Sequence, residues 1–392
     1  MASQVTRARW AVATVFAVHG AASGSFASRI PWIAEHLHLT EGALGLALIM
    51  PAVGSLSSMP FTGRLVQRIG GRLATRILIA AWALAVGVLA LAPNQWALMG
   101  MLLLAGVAAG TSDIAMNAEG VEVEQRLGRS IMSSLHGMWS VGGLIGSGIG
   151  AAAAYLGVSA PVNLAVMGVL LAVVGATAGH WLLPTVPVAA AEDGPRFSLP
   201  RGPVLIIGLI GFCAVFAEGA TADWCAVYLR QILEAGEGQA AVAYSMFALA
   251  MAGGRLVGDT VVRRFGAVGT VRAAGALGVL GGVLVVAAWT PLAGVAGFGL
   301  IGLGVAVVVP LAFSAAGHTG DHPAHAIAGV ATVSYGAGLA APGLMGGIAH
   351  ATSLPFSFAM VTGLVLIVVL GAGRLRAAEI AHRQPVPEPV SA

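Results

Sequence analysis

Long apolar stretches separated by short polar turns run along the whole chain. Twelve of them approach the roughly 20 residues that a helix needs to cross a lipid bilayer. Pro and Gly mark several of the turns between neighbouring stretches. The pattern predicts an all-α membrane protein with spans at 9–29, 42–63, 75–92, 95–118, 131–156, 161–183, 203–229, 239–258, 272–289, 292–316, 325–350 and 355–374.

Composition supports a membrane location. The chain has 392 residues, of which 58% are hydrophobic and 9% are charged, whereas soluble domains carry about 25% charged residues. The formal net charge of +3 does not indicate nucleic-acid binding, because the basic residues form short clusters between apolar stretches. The expected surroundings are the lipid bilayer, in a bacterial-type cytoplasmic (inner) membrane.

The arginines predict the topology. All but two of the 19 basic residues lie in the tails or in the even-numbered connections between spans, the exceptions being Arg29 and Arg230. The positive-inside rule therefore places both termini in the cytoplasm. The longest polar connection, 184–201, separates six spans in 1–183 from six in 202–376. The Pro-rich tail 377–392 is expected to be disordered.

The two halves are similar to each other. The sequence HGAASGSFAS (19–28) aligns with EGATADWCAV (218–227), DIAMNAEG (113–120) with PLAFSAAG (310–317), and HG (136–137) with YG (335–336), at offsets between 197 and 199. This order of matches indicates duplication of a six-helix unit. Paired six-helix bundles are typical of transporters whose halves rock about a central site.

The connection GRLVQRIGGR (63–72) resembles the signature loop of the major facilitator superfamily (MFS), with Gln67 where that loop has Asp. A second copy follows the eighth span at 254–266. The resemblance implies a gating loop that clamps helix ends; a solvated cluster that only sets topology is the alternative. The residues predicted for it are Gly63, Arg64, Arg68, Gly70, Arg72, Arg255 and Asp259.

Asp113 and Asn117 lie one helical turn apart, on one helix face. The surrounding sequence resembles the fucose-permease-like branch of the superfamily, which implies that Asp113 carries the coupled proton. Burial in a low-dielectric site favours a neutral carboxyl group, consistent with that role. The alternative is a structural hydrogen bond to Asn117 or a serine.

Ionisable groups inside spans usually face a cavity or a partner. Glu218 is predicted to be a second proton-coupling group. The predicted solute-binding residues are His19, Asn117, His136, Trp139, Asp223, Trp224 and Tyr335. The alternative for His19 is a hydrogen bond to a backbone carbonyl group, for His136 a position near the cytoplasmic headgroups, and for the aromatic residues packing against lipid or other helices. Arg29 or Arg230 is a candidate partner of Asp223. Glu119, Glu122 and Glu124 are expected beyond the membrane, either solvated or paired within a loop.

Two further stretches carry structural predictions. The spacing of small residues in GGLIGSGIG (142–150) predicts a close helix–helix contact. The stretch 317–325 contains His318, His322 and His325 and is interpreted as a polar loop rather than a metal site.

These features favour a secondary active transporter that moves a small polar solute, such as a sugar or related metabolite, by alternating access. The resemblance to the fucose-permease-like branch implies that this transport is proton symport. Proton-coupled export of an amphipathic or toxic compound is the alternative. No pattern indicates an enzyme, a cofactor, a resident metal or an ATP-binding loop. The expected partners are the solute, the proton and lipid, and the expected state is a monomer.

Overall fold

A computed structural model describes residues 2–39, 41–184, 200–235, 237–319 and 323–380. No strand occurs among these residues. Most of the predicted linker (184–201) and tail (377–392) lies outside them. The helices are α1 (Ala2–Ala27), α2 (Ile30–His36), α3 (Glu41–Ile69), α4 (Gly71–Val88), α5 (Gln95–Leu127), α6 (Met132–Tyr155), α7 (Ala160–Ala178), α8 (Pro203–Gln231), α9 (Glu237–Val286), α10 (Pro291–Val305), α11 (Val308–Gly317), α12 (Pro323–Ala351), α13 (Leu354–Gly371) and α14 (Ala377–Ile380).

The helices match the predicted spans in position. Within the described ranges, ten helical segments are long and apolar enough to cross a membrane. One of them, in α9, contains two predicted spans, and α6 is not among the ten. The all-α membrane fold is therefore confirmed, whereas twelve crossings and cytoplasmic termini stay predictions.

Single glycines make the turns where longer loops were predicted. Gly70 separates α3 from α4, and Gly266 breaks α9, with φ angles of 83° and 75°. Glycine adopts such positive φ angles without steric penalty. The flanking helices therefore extend further than expected. Arg255 and Asp259, predicted to lie in a loop, are buried residues within α9.

The helices pack as two halves. We call α1–α7 the first half and α8–α14 the second half. Most contacts join helices of the same half, while the main contacts between halves join α3 to α12 and α6 to α9. We call the end of the molecule that carries Arg68, Arg126 and Arg263 the arginine-rich end.

The closest packing within the first half joins α1 to α6. A Cβ atom at Gly142 would overlap the carbonyl group of Ala17, and one at Gly146 would overlap that of Ala21. Because these neighbours are backbone atoms, they cannot move aside as a flexible side chain could. The predicted close contact through the 142–150 glycines is confirmed.

We expect Gly142→Ala to destabilise the first half by about 1–3 kcal/mol, the usual range for overpacking. Gly148→Ala is the matched control, because a Cβ atom there meets nothing within 4 Å. Thermal unfolding in detergent should show a lower midpoint for Gly142→Ala alone. Equal midpoints for the two variants would contradict the observed α1–α6 packing.

Candidate functional site

Asp113 and Asn117 form a buried polar pair on α5. The Asn117 amide nitrogen donates to the Asp113 backbone carbonyl at 2.8 Å and to Oδ1 of its carboxyl group at 3.3 Å. Asp113 is 8% exposed and Asn117 is fully buried. Within the described residues, Asp113 Oδ2 and Asn117 Oδ1 make no hydrogen bond of normal geometry. Asn117 Oδ1 therefore lacks a donor, and the nearest further donor to the Asp113 carboxyl group is the Tyr335 hydroxyl group.

Tyr335 brings the second half to this pair. Its hydroxyl group, on α12, faces the Asp113 carboxyl group. The same hydroxyl is within electrostatic range of Glu218 and Arg255. Tyr335 thus lies between the Asp113 carboxyl group and the Glu218–Arg255 pair. Its counterpart in the internal repeat is His136.

Glu218 and Arg255 form an ion pair between α8 and α9. The Arg255 Nη2 atom donates to both Glu218 carboxylate oxygens, at 2.9 and 3.0 Å. Its Nη1 atom donates to Ser140 Oγ at 3.2 Å, which ties the pair to α6 of the first half. The Glu218 side chain is 30% exposed and that of Arg255 is 6% exposed. One edge of the pair is therefore accessible, and the guanidinium group is enclosed.

His19 is held by hydrogen bonds on both sides of its ring. Its Nε2 atom lies 3.3 Å from the Ala109 carbonyl oxygen, and its Nδ1 atom accepts from Trp139 Nε1 at 3.0 Å. Trp82 Nε1 donates to the His19 backbone carbonyl at 3.2 Å. These bonds require the neutral Nε2–H tautomer. They include the backbone-carbonyl bond that is the alternative for His19, and they position Trp139 beside it.

His136 on α6 lies between aromatic rings. Its Nδ1 atom is 3.1 Å from the Met132 carbonyl oxygen. Its ring centroid is 5.2 Å from that of Phe16 and 5.9 Å from that of Phe313. Arg255 lies within electrostatic range of the imidazole. A bond from Nδ1–H to the Met132 carbonyl group leaves Nε2 as the acceptor atom of this histidine.

The structure does not bring every predicted binding residue to this centre. Asp223 is exposed, and the Trp224 ring packs near Gly346. The suggested pairing of Asp223 with Arg29 is wrong. Arg29 is buried, and it donates to Asn163 Oδ1 and to the Val158 carbonyl, both at 2.9 Å.

Polar contacts join the two halves at the arginine-rich end. Gln67 Nε2 on α3 is 2.9 Å from His325 Nδ1, in the first turn of α12. A Cβ atom at Gly63 would lie 3.3 Å from the Ala324 carbonyl oxygen, so the small residue permits this approach. His325, predicted to lie in a loop, is therefore part of a helix that contacts the first half.

Arginines of the signature segment bind the end of α7. Arg72 donates to the His180 carbonyl oxygen, and Arg76 donates to that of Ala176 at 3.1 Å. Carbonyl groups at a helix C-terminus lack intrahelical partners and carry partial negative charge. Arg72 of the signature connection and Arg76, one turn beyond it, thus tie α4 to the end of α7.

Two carboxylates cap the N-terminus of α6. Glu124 Oε2 accepts from the backbone N–H groups of Ile131 and Met132, at 2.9 and 3.1 Å. Asp259, from the second half, accepts from those of Ser133 and Ser134, at 2.9 and 2.7 Å. All four N–H groups that an α-helix leaves without intrahelical partners are thereby satisfied.

Further bonds surround this cap. Glu124 Oε1 accepts a hydrogen bond from Ser314 Oγ of α11, and Asp259 Oδ1 accepts one from Ser130 Oγ at 3.2 Å. Ser133 Oγ donates to the Arg255 carbonyl at 2.7 Å. The cap therefore joins α5 and α6 of the first half to α9 and α11 of the second.

The expectation that Glu119 and Glu124 are solvated is wrong. Helix α5 continues to Leu127, and Gly128 ends it with a φ of 60°. The two glutamates are 2% and 1% exposed. Only Glu122 behaves as expected, pairing with Arg126 at 2.8 Å on the surface.

Sequence reasoning missed the roles of Arg255, Ser140, Glu124 and Ser314. Arg255 was assigned to a loop because 254–266 is the second copy of the signature connection. Its position after the apolar stretch 242–252 was the available signal, because an arginine inside a span needs an acidic partner. The serines carried no signal of their own.

The family assignment follows from comparison with known proteins. The family model described as Major Facilitator Superfamily matches residues 12–342. The chain belongs to this superfamily. It is therefore a multi-pass membrane protein that carries a small-molecule solute across the membrane, and it is not an enzyme.

Relatives and solved structures agree with this assignment. The chain is 34% identical over 358 residues to an uncharacterized MFS-type transporter of Yersinia pestis, covering 91% of this chain and 93% of the relative. It is 35% identical over 362 residues to an uncharacterized transporter of Sinorhizobium fredii, covering 91% and 95%. The fold matches the E. coli fucose:proton symporter FucP with a TM-score of 0.71, at 14% identity and over 93% of this chain and 97% of that one. It matches the human organic anion transporter MFSD10 with a TM-score of 0.75, at 15% identity and over 94% and 99%.

We expect Glu218→Gln to destabilise this MFS protein by about 3 kcal/mol, because it leaves the enclosed Arg255 without a counter-charge. The double variant Glu218→Gln/Arg255→Gln should recover most of that loss, since no isolated charge remains. Thermal unfolding of the purified variants measures both effects. A double variant that is less stable than the single one would contradict a dominant role for charge pairing.

We expect Asp259→Asn to loosen the contact between halves at the arginine-rich end. An Asn amide has a single acceptor oxygen, so it cannot replace the carboxylate at both N–H groups. A loss of about 2 kcal/mol in the free energy of the contact between the halves changes the closed-to-open ratio about thirtyfold. Spin labels at Arg129→Cys and Arg264→Cys, with both native cysteines replaced, report the separation of the halves. Glu122→Gln, which removes an exposed acid at the same end, is the control. An unchanged distance distribution in Asp259→Asn would show that the cap does not hold the halves together.

Proposed function

We propose that this MFS transporter is a proton-coupled symporter of a small, polar, uncharged solute of the sugar or polyol type. The observation that carries the proposal is the pair of buried acceptor oxygens, Asp113 Oδ2 and Asn117 Oδ1, beside Tyr335 of the other half. Buried acceptors without donors are unfavourable. A proton on Asp113 or a solute hydroxyl group would supply a further donor to these oxygens, in addition to the Tyr335 hydroxyl group.

The charges of the centre support an uncharged solute. We define the central cluster as His19, Asp113, Asn117, His136, Ser140, Glu218, Arg255 and Tyr335. Its arginine is already paired with Glu218 through two hydrogen bonds. A solute carboxylate would have to displace Glu218 to reach that arginine. Hydroxyl groups can instead donate to the accessible edge of Glu218 and to Asp113 without breaking the ion pair.

The location of these groups suits alternating access. Tyr335 and Asp113 come from different halves, as do Arg255 and Ser140. A rocking motion would therefore change the surroundings of Asp113 and Glu218 together. For the site to open at the arginine-rich end, the α6 cap and the Gln67–His325 contact would have to separate. Proton and solute binding at the centre would bias the halves between the two arrangements.

The comparisons are consistent with this proposal without deciding the solute. FucP is by its name a fucose:proton symporter and MFSD10 an organic anion transporter, and at 14% and 15% identity each likeness concerns the fold. The paired state of Arg255 is the observation that favours the uncharged solute over the anion. We further propose that the protein is a monomer in the cytoplasmic membrane with both termini in the cytoplasm, and that six-helix bundles at 1–183 and 202–376 flank the 184–201 linker.

The decisive experiment measures transient currents from proteoliposomes on a solid-supported membrane, challenged with a panel of sugars and polyols. We expect one solute to drive a saturable inward positive current that increases as the outer pH falls. Asp113→Asn cannot exchange a proton at this position, so it should lose the current while retaining counterflow of labelled solute. Glu122→Gln, which alters an exposed acid on the same helix, should behave as the wild type.

Two results would count against the proposal. An intact current in Asp113→Asn would remove Asp113 from proton coupling. Currents driven by organic anions, with none from sugars or polyols, would show that Arg255 exchanges partners and that the solute is charged. Proton-driven loss of an amphipathic dye from the vesicles would support the alternative of export.

A further inference from the structure

A groove on the membrane-facing surface lies apart from the central cluster. It has a volume of about 680 Å³ and runs between the first turns of α1 and the last turns of α7. Its lining includes Arg7, Trp10, Thr14, Val173, Val174 and Trp181. The groove is at the arginine-rich end, since α1 begins and α7 ends there.

The lining combines an apolar channel with two exposed indole rings. Trp10 is 62% exposed, Trp181 is 50% exposed and Val173 is 59% exposed. Tryptophan is enriched where the hydrocarbon region meets the lipid headgroups. Val173 and Val174 precede Trp181 by about two helical turns, so they lie deeper than the tryptophan, towards the hydrocarbon region. This arrangement has the depth profile of a phospholipid, with its headgroup near the tryptophans and its acyl chains along the valines.

The charge at the mouth of the groove is positive. Arg7 lines it, the Arg9 guanidinium lies 5.7 Å from the centroid of the Trp10 ring, and no acidic residue is among the lining residues. The first turns of α1 add the partial positive charge of a helix N-terminus. At the opposite wall, Arg72 and Arg76 occupy carbonyl oxygens at the end of α7, which reduces the negative potential there. An anion is therefore favoured at this position.

We propose that this groove is a binding site for an anionic glycerophospholipid, with the phosphate group at Arg7 and an acyl chain between Trp10, Val173 and Val174. Juxtamembrane arginines attract anionic lipids, and planar guanidinium groups bind phosphate oxygens through paired hydrogen bonds. The bound lipid bridges α1 and α7 of the first half. This site is independent of the solute site and of proton coupling.

Native mass spectrometry of the full chain tests the proposal with phosphatidylglycerol and phosphatidylcholine of identical acyl chains. The wild type should retain phosphatidylglycerol in preference to phosphatidylcholine. Arg7→Gln should reduce that preference about fivefold, the effect expected for one arginine near an anionic lipid. Trp10→Leu should reduce retention of both lipids. The matched controls are Arg272→Gln, an exposed arginine of the second half, and Trp289→Leu, a tryptophan that is 94% exposed.

Equal retention of the two lipids by the wild type, or an unchanged preference in Arg7→Gln, would overturn the proposal. A second measurement uses the wild type alone, so it does not depend on the folding of a variant. Phosphatidylglycerol with a photoreactive acyl chain should label α7 near Val173 and Val174. Labelling confined to other helices would equally overturn it.

Discussion

The N-terminus of α6 sets the arrangement of the two halves. Four backbone N–H groups at this position lack intrahelical partners, and they lie in an interface that excludes water. Glu124 satisfies two of them and Asp259 the other two. One carboxylate comes from each half, so the helix end is fully satisfied only when the halves are together. The positive end of the α6 dipole strengthens both interactions, and separation of the halves would leave donors and a carboxylate in need of water.

The central cluster, like the α6 cap, contains buried carboxyl groups and hydrogen-bond donors from both halves, but one of its carboxylates is balanced by an arginine. Arg255 and Glu218 neutralise each other, and His19 is held in a neutral tautomer by Ala109 and Trp139. Asp113 has no cationic partner among the described residues, so it differs from Glu218, whose charge Arg255 balances. Arg255 also connects the levels, because its side chain reaches Ser140 at the centre while its carbonyl group accepts from Ser133 at the α6 cap. One turn of α9 thus joins the proposed solute site to the contact that closes the arginine-rich end.

The predicted site residues and the buried central cluster overlap only in part. The Asp113–Asn117 step could be found from sequence because a spacing of four residues places two side chains together on any α-helix. Tyr335 could be found through the internal repeat. Arg255 and Asp259 were placed in a loop, because they belong to the second copy of the signature connection, 254–266. In this structure, a single positive-φ glycine at 266 makes the turn, so the basic and acidic residues before it stay helical. Glu124 was misplaced for the related reason that α5 extends beyond its apolar stretch.

The sequence by itself determined the membrane fold, the position of most helices and the close helix contact made by the 142–150 glycines, whereas the structure identified α1 as the partner. These features depend on hydropathy, helical spacing and the size of glycine, which are local properties of the chain. Tertiary structure decided which acid meets which donor. Glu218 and Arg255 are 37 residues apart in sequence, whereas Asp259 and Ser134 are 125 apart. No local pattern specifies such pairs. They form only where helices from different parts of the chain pack together and bring a carboxylate to an unsatisfied N–H group or to an enclosed guanidinium group.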